Sequence, residues 1–524
     1  MKSKFLKYLP LAVVATTTLG GCNMGGLGSA DTYELDVTLD TRGTSITIWT
    51  GFGDNVKKVL EPILEEFTAK TGINVKHESK GGYPNLQTAI NLSATRKAYA
   101  NVALGYPDHF AGYITSNIQL RLNGLIENDS KRAVRTDEET GISYDKDGLM
   151  CLNYEDFYED YRHENEQLEF DEEGNPYILG VPFNKSSEVM VYNAEFFEWC
   201  ATQDDLKDQI FVPKTWDEVK SVGLAVKQLF KDTKAYGKIL CSDGKAYAEV
   251  PSNLTKVIDL ISVPSEDEFR FFSYDSTENM FITLIRQFGG KFTEIDKEKT
   301  GVGYAVFNDP ENKDATLAAM AMLRDLWNNG LIGIASTFNE QQYCSTPFKN
   351  GKSLLNVGST GGLTNVVGTG FTTKAAPIPY RDADHKFVIS QGTNLALFNK
   401  GSAKQLVASW KLIVYLSQQA NGEFCGNKNS GYFPTCEYAK NSDEYQEYLN
   451  SDFSGAALLQ QEAATINSTE YLNYNRFVDP GFRGSSSIRV EVGHIPGYIF
   501  AGEYGGNDQN ILDEVYVTLS DYVK

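Results

Sequence analysis

Residues 45–78 read SITIWTGFGDNVKKVLEPILEEFTAKTGINVKHE. The first five residues alternate between polar and apolar side chains, which is typical of a half-buried β-strand. Apolar residues then recur at helical spacing over residues 56–67, and the pattern ends at Gly72, a favoured residue after a helix C-terminus. Asp54 is a plausible N-cap for this helix, and Pro62 is expected to kink it or to mark its restart. The stretch therefore predicts a strand followed by a helix.

The next fifty residues repeat this order. Residues 73–77 are predicted to form a second strand, residues 84–95 a second helix, and residues 100–104 a third, buried strand. Strands that alternate with helices at this spacing are typical of a parallel sheet covered by helices. The sequence thus predicts an α/β fold.

The remainder of the chain continues the α/β pattern, apart from one weakly patterned region. Residues 130–175 are acidic and rich in tyrosine, and they form either an insertion or an edge of the fold. Thr215 or Asp217 is available to cap a further helix. Helices are also predicted over 315–327 and 406–416, and strands over 177–182, 188–192, 351–357 and 388–398. A chain of 524 residues exceeds what one hydrophobic core usually serves, so two or more lobes are expected.

The N-terminus predicts export. A basic start, a short apolar run and small residues make residues 1–21 a secretory signal peptide, too short to remain as a membrane span. Leu19-Gly-Gly-Cys22 resembles the bacterial lipobox, whose cysteine is lipidated and becomes the mature N-terminus. Residues 22–45 are then expected to be a flexible tether. The protein is predicted to be anchored by lipid to the outer face of the cytoplasmic membrane.

Composition and motifs exclude several classes of function. The net charge of −21 argues against a nucleic-acid-binding surface. No cysteine or histidine occurs at zinc-ligand spacing, and no nucleophile-elbow, zinc-protease or Walker motif is present. Neither a metal nor a cofactor is therefore expected. A pair of carboxylates suited to glycoside hydrolysis cannot be recognised from sequence, so a secreted carbohydrate-active enzyme stays as an alternative class.

Six cysteines remain if Cys22 carries lipid. Cys425 and Cys436 form the pair closest in sequence and flank a segment rich in Gly, Asn and Pro. Outside the cytoplasm they could form a disulfide, or they could remain as buried free thiols.

Short motifs in a fixed order resemble those of a known family. They are the helix end EFTAKTG at 66–72, GVPFN at 180–184, PKTWDE at 213–218, FKNGK at 348–352 and SGYFP at 430–434. The chain is similar in this respect to the extracellular solute-binding proteins of ABC importers, in the branch that serves sugars and glycerol 3-phosphate. The resemblance covers most of residues 46–500.

This resemblance implies a two-lobed α/β fold of the periplasmic-binding-protein type II, with a ligand cleft between the lobes. Residues 46–130 and 355–400 are expected to form lobe 1, and residues 131–354 and 401–524 lobe 2. The expected function is to capture a small molecule outside the cell, as a monomer without catalysis, and to deliver it to ABC permease subunits. A chemoreceptor-linked binding protein or an adhesin would share the fold and differ in its partner.

The resemblance also implies ligand contacts at seven positions. They are Tyr83, Asp108, Ser186, Ser359, Gly392, Tyr432 and Arg489. The two tyrosines would offer flat faces to a sugar, and Asp108 would accept hydrogen bonds from hydroxyl groups. The alternatives are that both tyrosines are ordinary core or surface rings, that Asp108 caps a helix, and that Arg489 forms a surface ion pair.

The ligand class depends on Arg489 and on the glycine cluster at 358–362, because a cation and free backbone N–H groups suit a phosphate. All seven positions match, in residue type, those of the glycerol-3-phosphate binders of the family, with Asp108 in place of a glutamate. Sugars are nevertheless the commoner cargo of the family. A carbohydrate is therefore favoured, and glycerol 3-phosphate or a glycerophosphodiester is the alternative.

Overall fold

A computed structural model describes residues 31–249, 259–296, 299, 301–368 and 370–523. The predicted signal peptide, 1–21, and the predicted lipidation site, Cys22, lie outside the described residues.

The described residues form strands and helices in alternation. The strands are β1 (Ser45–Thr50), β2 (Asn74–Ser79), β3 (Val102–Gly105), β4 (Arg135–Thr136), β5 (Ser143–Tyr144), β6 (Val181–Asn193), β7 (Lys238–Cys241), β8 (Ala246–Tyr247), β9 (Asp259–Val263), β10 (Arg270–Tyr274), β11 (Thr293–Ile295), β12 (Gly303–Ala305), β13 (Ile332–Gly333), β14 (Ser353–Ser359), β15 (Thr373–Ala376), β16 (Phe387–Leu397) and β17 (Asn475–Phe477). The helices are α1 (Asp54–Thr71), α2 (Tyr83–Ser93), α3 (Pro107–Thr115), α4 (Asn123–Asn128), α5 (Glu159–His163), α6 (Ala194–Thr202), α7 (Trp216–Asp232), α8 (Thr277–Gln287), α9 (Lys313–Asn328), α10 (Ser345–Lys349), α11 (Ala403–Val414), α12 (Asn421–Cys425), α13 (Glu437–Lys440), α14 (Asp443–Asn450), α15 (Gly455–Ser468), α16 (Ser485–Val492), α17 (Ile495–Ala501) and α18 (Asp508–Thr518). Within this described part, no helix has the length and apolar character needed to cross a membrane.

The N-terminal strand and helix form as predicted, with two differences in detail. The strand β1 pairs in parallel with β2 and with β3. Helix α1 ends at Gly72, whose φ of 69° is left-handed and whose N–H closes the last turn on the Thr68 carbonyl. The N-cap is Gly53 and not Asp54, and α1 runs without interruption through Pro62. Pro62 stands in the third turn, so the predicted restart of the helix there was wrong.

Two long strands connect the halves of the main sheet. Strand β6 was expected as two separate strands but is continuous over thirteen residues. Its first half pairs antiparallel with β16, which continues through β3 and β1 to β2. Its second half pairs antiparallel with β14, which continues through β10 to β13. The sheet therefore forms two halves that share the crossing strands β6 and β16.

Two hydrophobic cores correspond to two lobes. Lobe 1 is built from residues between 35 and 183 and between 395 and 448. Lobe 2 is built from residues between 189 and 388 and between 459 and 519. The chain therefore passes between the lobes at β6, at β16 and near residue 450.

These boundaries correct the predicted ones. Residues 131–183 and 401–448 were expected in lobe 2, yet their apolar side chains join the lobe 1 core, because α11 packs on β1 and β16. Residues 355–388 were expected in lobe 1, yet they join the lobe 2 core, because β14 lies between β6 and β10.

Residues 31–45 of the predicted tether are folded against lobe 1, and residues 22–30 lie outside the described residues. From Asp31 onward the chain is described, and Leu35 and Val37 are buried in the lobe 1 core. The Thr32 hydroxyl donates a hydrogen bond to the Arg121 carbonyl at 2.8 Å. Apolar burial and this long-range bond fix the segment against lobe 1, so the prediction of a flexible tether is wrong for residues 31–45.

The six cysteines of the described residues are all free and buried. Cys425 and Cys436 are therefore buried thiols, which is the second of the two alternatives for this pair.

Gly392 lies where the crossing strands approach most closely. Its φ is +98°, and β16 shifts register immediately after it, between Thr393 and Asn394. A Cβ atom at this position would lie 2.0 Å from the Asn184 carbonyl oxygen and 2.7 Å from the Lys185 Cα atom. Both obstacles are backbone atoms of β6, so no side-chain rotation could relieve the overlap.

We expect Gly392→Ala to destabilise the protein by about 1–3 kcal/mol or more, from steric overlap and left-handed backbone strain. Thermal unfolding followed by circular dichroism measures the change. Gly112→Ala in α3 is the matched control, because a Cβ there meets no atom within 4 Å. Equal melting temperatures for the two variants would show that the strand crossing tolerates a side chain.

Candidate functional site

A cleft of about 960 Å³ lies between the two lobes. Lobe 1 lines it with the start of α2 and α3, and lobe 2 lines it with α8, the loop before α10, and α16 and α17. Four of the seven predicted residues line this cleft; they are Tyr83, Asp108, Ser359 and Arg489.

The other three predicted residues lie close by. Tyr432 lines a smaller cavity of about 300 Å³, which Tyr83 also lines. Ser186 and Gly392 belong to the crossing strands, where Ser186 is buried and pairs with Gln391, a residue of the cleft wall. The structure thus brings the seven residues to one region, four in the cleft and three beside it.

Aromatic rings form the lobe 1 wall. Tyr106 makes edge-on contacts with Tyr83, at a centroid distance of 5.2 Å, and with His109, at 5.4 Å. The Tyr83 hydroxyl accepts a hydrogen bond from Asn184 Nδ2 at 2.9 Å and lies 3.4 Å from the Tyr432 hydroxyl. These contacts hold the Tyr83 ring in one orientation, which favours stacking against a ligand.

Asp108 supplies a hydrogen-bond acceptor on the same wall. It stands in the first turn of α3, whose N-cap is Tyr106, so it is not the capping residue. Its Oδ1 accepts the His109 backbone N–H at 2.9 Å, and no side chain of the described residues donates to its Oδ2. Burial lowers the pKa of the neighbouring His109, although the Asp108 charge opposes this shift. A neutral imidazole and a carboxylate oxygen open to hydroxyl groups therefore stand side by side.

Arg489 supplies a cation on the lobe 2 wall. Its Nη2 donates to Asn279 Oδ1 at 2.5 Å, and Asn279 Nδ2 donates to Glu188 Oε1 at 3.0 Å. The Tyr274 hydroxyl donates to the other Glu188 oxygen at 2.5 Å. Arg489 makes no salt bridge with the described residues, so the predicted alternative of a surface ion pair does not describe it. Its remaining N–H groups can serve a ligand.

Side chains on one face of strand β6 hold residues of both walls of the cleft. Side chains two residues apart share a face of a strand, so Asn184, Ser186 and Glu188 lie in one row. Asn184 holds Tyr83 of lobe 1, and Glu188 holds Arg489 of lobe 2 through Asn279.

Acidic groups outnumber cations in the cleft. Arg489 is the one Lys or Arg among the described lining residues, which include five carboxylates: Asp108, Asp275, Glu278, Asp479 and Glu503. Burial raises the pKa of Asp275 to about 6 and that of Glu188, behind the wall, to about 7. Burial also raises the pKa of Asp479, against the opposing charges of Arg286 and Arg489.

Sequence reasoning missed several residues of the cleft. Tyr106 directly follows the third predicted strand, and ligands in open α/β folds bind beyond the carboxyl ends of strands, so its position was a usable signal. Asn279, Tyr343 and Tyr498 gave no such signal, because only the folded lobes bring them to the cleft. No cluster of His, Cys, Asp or Glu suited to a metal ion occurs among the residues described.

The sequence also matches a family model. The model of the bacterial extracellular solute-binding proteins matches residues 63–450, well over half of the chain. The chain belongs to this family. Its members bind small molecules outside the cytoplasm and deliver them to ABC permeases. The predicted family is thereby confirmed, while the roles of the seven site residues stay predictions.

Solved structures share the fold at low sequence identity. UgpB from Mycobacterium tuberculosis, in complex with glycerophosphocholine, is 17% identical with a TM-score of 0.61, and the match covers 91% of this chain and 98% of that one. The cyclic α-maltosyl-1,6-maltose binding protein from Arthrobacter globiformis is 15% identical with a TM-score of 0.60, covering 91% and 99%.

The substrate-binding protein Lmo0181 from Listeria monocytogenes, in complex with cycloalternan, is 15% identical with a TM-score of 0.59, covering 92% and 100%. No curated protein sequence matches the chain. The structural likenesses confirm the predicted two-lobed fold.

The buried Glu188 predicts a pH dependence of stability. Its pKa rises from about 4.5 unfolded to about 7 folded, so the native state holds a proton that the unfolded state has lost. This contribution to stability is full below pH 4.5 and is lost as the pH rises through 7. We expect Glu188→Gln, which keeps a neutral side chain of the same size, to flatten the fall in unfolding free energy between pH 5 and pH 8.

Urea unfolding at four pH values in this range measures the slope. Glu65→Gln, at an exposed position of α1, is the control and should leave the slope unchanged. Parallel pH profiles for wild type and Glu188→Gln would contradict the assignment of a buried, protonated Glu188.

Proposed function

We propose that this protein is the substrate-binding component of an ABC importer and that its ligand is a carbohydrate. The observation that carries the proposal is the cleft between the lobes, in which fixed aromatic rings stand beside carboxylates. A sugar presents C–H faces to rings and hydroxyl hydrogens to carboxylates, so it matches this surface.

Tyr83 and Tyr106 supply the aromatic faces, and Asp108 accepts from hydroxyl groups. The cleft contains more carboxylates than cationic side chains, which favours a neutral, hydroxyl-rich ligand over a strongly anionic one. One of the structural neighbours described above is a cyclic α-maltosyl-1,6-maltose binding protein and another was solved in complex with cycloalternan, which adds support.

The ligand contacts both lobes and shifts an equilibrium between open and closed forms. Bending occurs at the crossing strands β6 and β16, and the closed form docks on the permease. No bond of the ligand is made or broken, and no cofactor takes part. The protein acts as a monomer, and the lipid on Cys22 keeps it at the outer face of the cytoplasmic membrane.

Glycerol 3-phosphate or a glycerophosphodiester is the second candidate, and one observation favours it. Arg489 reaches the cleft without a salt bridge to a carboxylate of the described residues, which is an arrangement suited to a phosphate. The neighbour from Mycobacterium tuberculosis was solved with glycerophosphocholine.

A thermal-shift titration of the chain from Asn23 onward tests the proposal. One panel contains mono- and oligosaccharides, and the other contains glycerol 3-phosphate and its diesters. A ligand that binds only the folded state stabilises it by about 2.7 kcal/mol at a hundredfold excess over Kd. We expect the melting temperature to rise with sugars. A rise in melting temperature with the phosphate panel alone would refute the carbohydrate proposal and favour the second candidate.

Two variants separate the candidates by titration calorimetry. Asp108→Asn should weaken sugar binding about tenfold or more, because the amide offers one acceptor where the carboxylate offered two. Arg489→Gln should weaken phosphate binding by at least as much and sugar binding less. Unchanged sugar affinity in Asp108→Asn would remove Asp108 from the site.

A further inference from the structure

The C-terminal wall of the cleft extends well beyond Arg489. From there the chain continues through Gly493 and His494, both in right-handed helical conformation, so that α16 and α17 follow each other almost without a break. Residues Arg489, Gly493, His494, Gly497 and Tyr498 all line the cleft. Nine residues of helix rise about 13 Å, which exceeds the width of one sugar ring.

Two glycines keep this wall smooth. A Cβ atom at Gly497 would meet no atom within 4 Å, so the space beside it is open. A Cβ atom at Gly493 would lie 3.4 Å from Thr277 Oγ1 and from Glu278 Cβ, which places the start of α8 directly against the wall. Thr277 and Glu278 also line the cleft. Gly493 thus lets the start of α8 pack against the helix, and the open space beside Gly497 is called the glycine channel below.

An exposed aromatic ring also lines the cleft from lobe 2. Tyr343 is 54% exposed although it lines the cleft, so core packing does not explain it. The next residue, Cys344, donates its backbone N–H to Asp275 Oδ1 at 2.8 Å and thereby anchors the loop. The Tyr343 hydroxyl lies near Asp275 and Glu278, whose charges add to the effect of burial in raising its pKa. Glu278 is therefore close to both Tyr343 and Gly493.

Tyr498 completes the aromatic lining. Its ring is held by an edge-on contact with Tyr504 at 5.5 Å and by His494 at 6.1 Å. A ring that is fixed by neighbours and borders an open cavity loses little side-chain entropy when a ligand stacks on it. Tyr343, His494, Gly497 and Tyr498 are called the outer subsite below.

We propose that the outer subsite binds the second and further rings of an oligosaccharide whose first ring lies against Tyr83 and Asp108. This inference rests on the proposed carbohydrate ligand and specifies its length. A cleft of about 960 Å³ lies at the upper end of the range for drug-sized ligands, which is more space than a monosaccharide fills. Aromatic rings line this space from both lobes, Tyr83 and Tyr106 from lobe 1 and Tyr343 and Tyr498 from lobe 2.

The helical wall of the outer subsite lies outside the part of the chain that matches the family model, which ends at residue 450. The inner wall, with Tyr83 and Asp108, lies inside it.

Titration calorimetry with glucose and its α-1,4- and β-1,4-linked oligomers of two to six units tests the inference. The variants are Tyr343→Ala, which removes the exposed ring, and Gly497→Leu, which fills the channel. Gly112→Leu, which adds the same side chain on α3 where a Cβ atom meets no atom within 4 Å and which does not line the cleft, is the matched control. Unfolding temperatures within a few degrees of wild type confirm that each variant folds.

We expect affinity in the wild type to rise at least tenfold from the shortest oligomer that binds to the longest. Tyr343→Ala and Gly497→Leu should each remove most of this gain and change the affinity for the shortest binder less than threefold. The outer subsite would be refuted if the wild type bound oligomers of all lengths with equal affinity. It would also be refuted if the variants weakened binding of the shortest and the longest sugar equally, or changed neither. Failure of every sugar to bind would instead refute the carbohydrate proposal itself.

Discussion

The close antiparallel contact of β6 and β16 is the constraint on which the architecture depends. Both strands run from one lobe into the other, and they approach so closely at Gly392 that a Cβ atom would overlap the β6 backbone. The left-handed φ of Gly392 and the register shift after it redirect β16 at this point. Each lobe has its own hydrophobic core, and the chain connects the two through these strands and the segment near residue 450, with further contacts such as that of Gly481 with Pro107 and Asp108. A narrow connection of this kind allows the lobes to move as units.

The same strand also organises the chemistry of the cleft. Asn184 fixes the Tyr83 ring on lobe 1, while Glu188, four residues later, fixes Arg489 on lobe 2 through Asn279. A change in the angle between the lobes therefore moves two prepared surfaces relative to each other without disturbing either one. Because the supporting side chains are already ordered, closure on a ligand costs little additional side-chain entropy.

The sequence predicted local structure better than long-range structure. The alternation in β1, the periodicity of α1 and the left-handed Gly72 are encoded within a few residues, and all three were recognised. Thr215 caps α7 with a reciprocal bond to Glu218, again as local spacing suggested. The lobe boundaries were wrong because they depend on which distant strand pairs with β14 and β16.

Strand β6 illustrates why some elements escape sequence patterns. Its centre reads NKSSE, a polar run that breaks the apolar pattern and suggested two strands. The fold buries this run completely by pairing Lys185 with the buried Glu164 and by giving the Asn184 amide partners on two sides. Such compensation comes from residues remote in sequence.

The candidate site followed the same rule. Tyr83, Asp108 and Arg489 were predicted from the family resemblance and line the cleft, whereas Asn279 and Tyr498 face it only because α8 and α17 pack side by side.

Closure of the two lobes on a ligand is tested most directly by measuring the distance between them with and without the ligand. Spin labels at Leu92→Cys on α2 and Val490→Cys on α16 report it by pulsed dipolar spectroscopy, because both positions are exposed and the native cysteines of the described residues are buried. We expect the distance distribution to shift to a shorter value when the ligand saturates the cleft. A ligand that binds with full affinity while the distribution stays unchanged would contradict closure of the two lobes about β6 and β16.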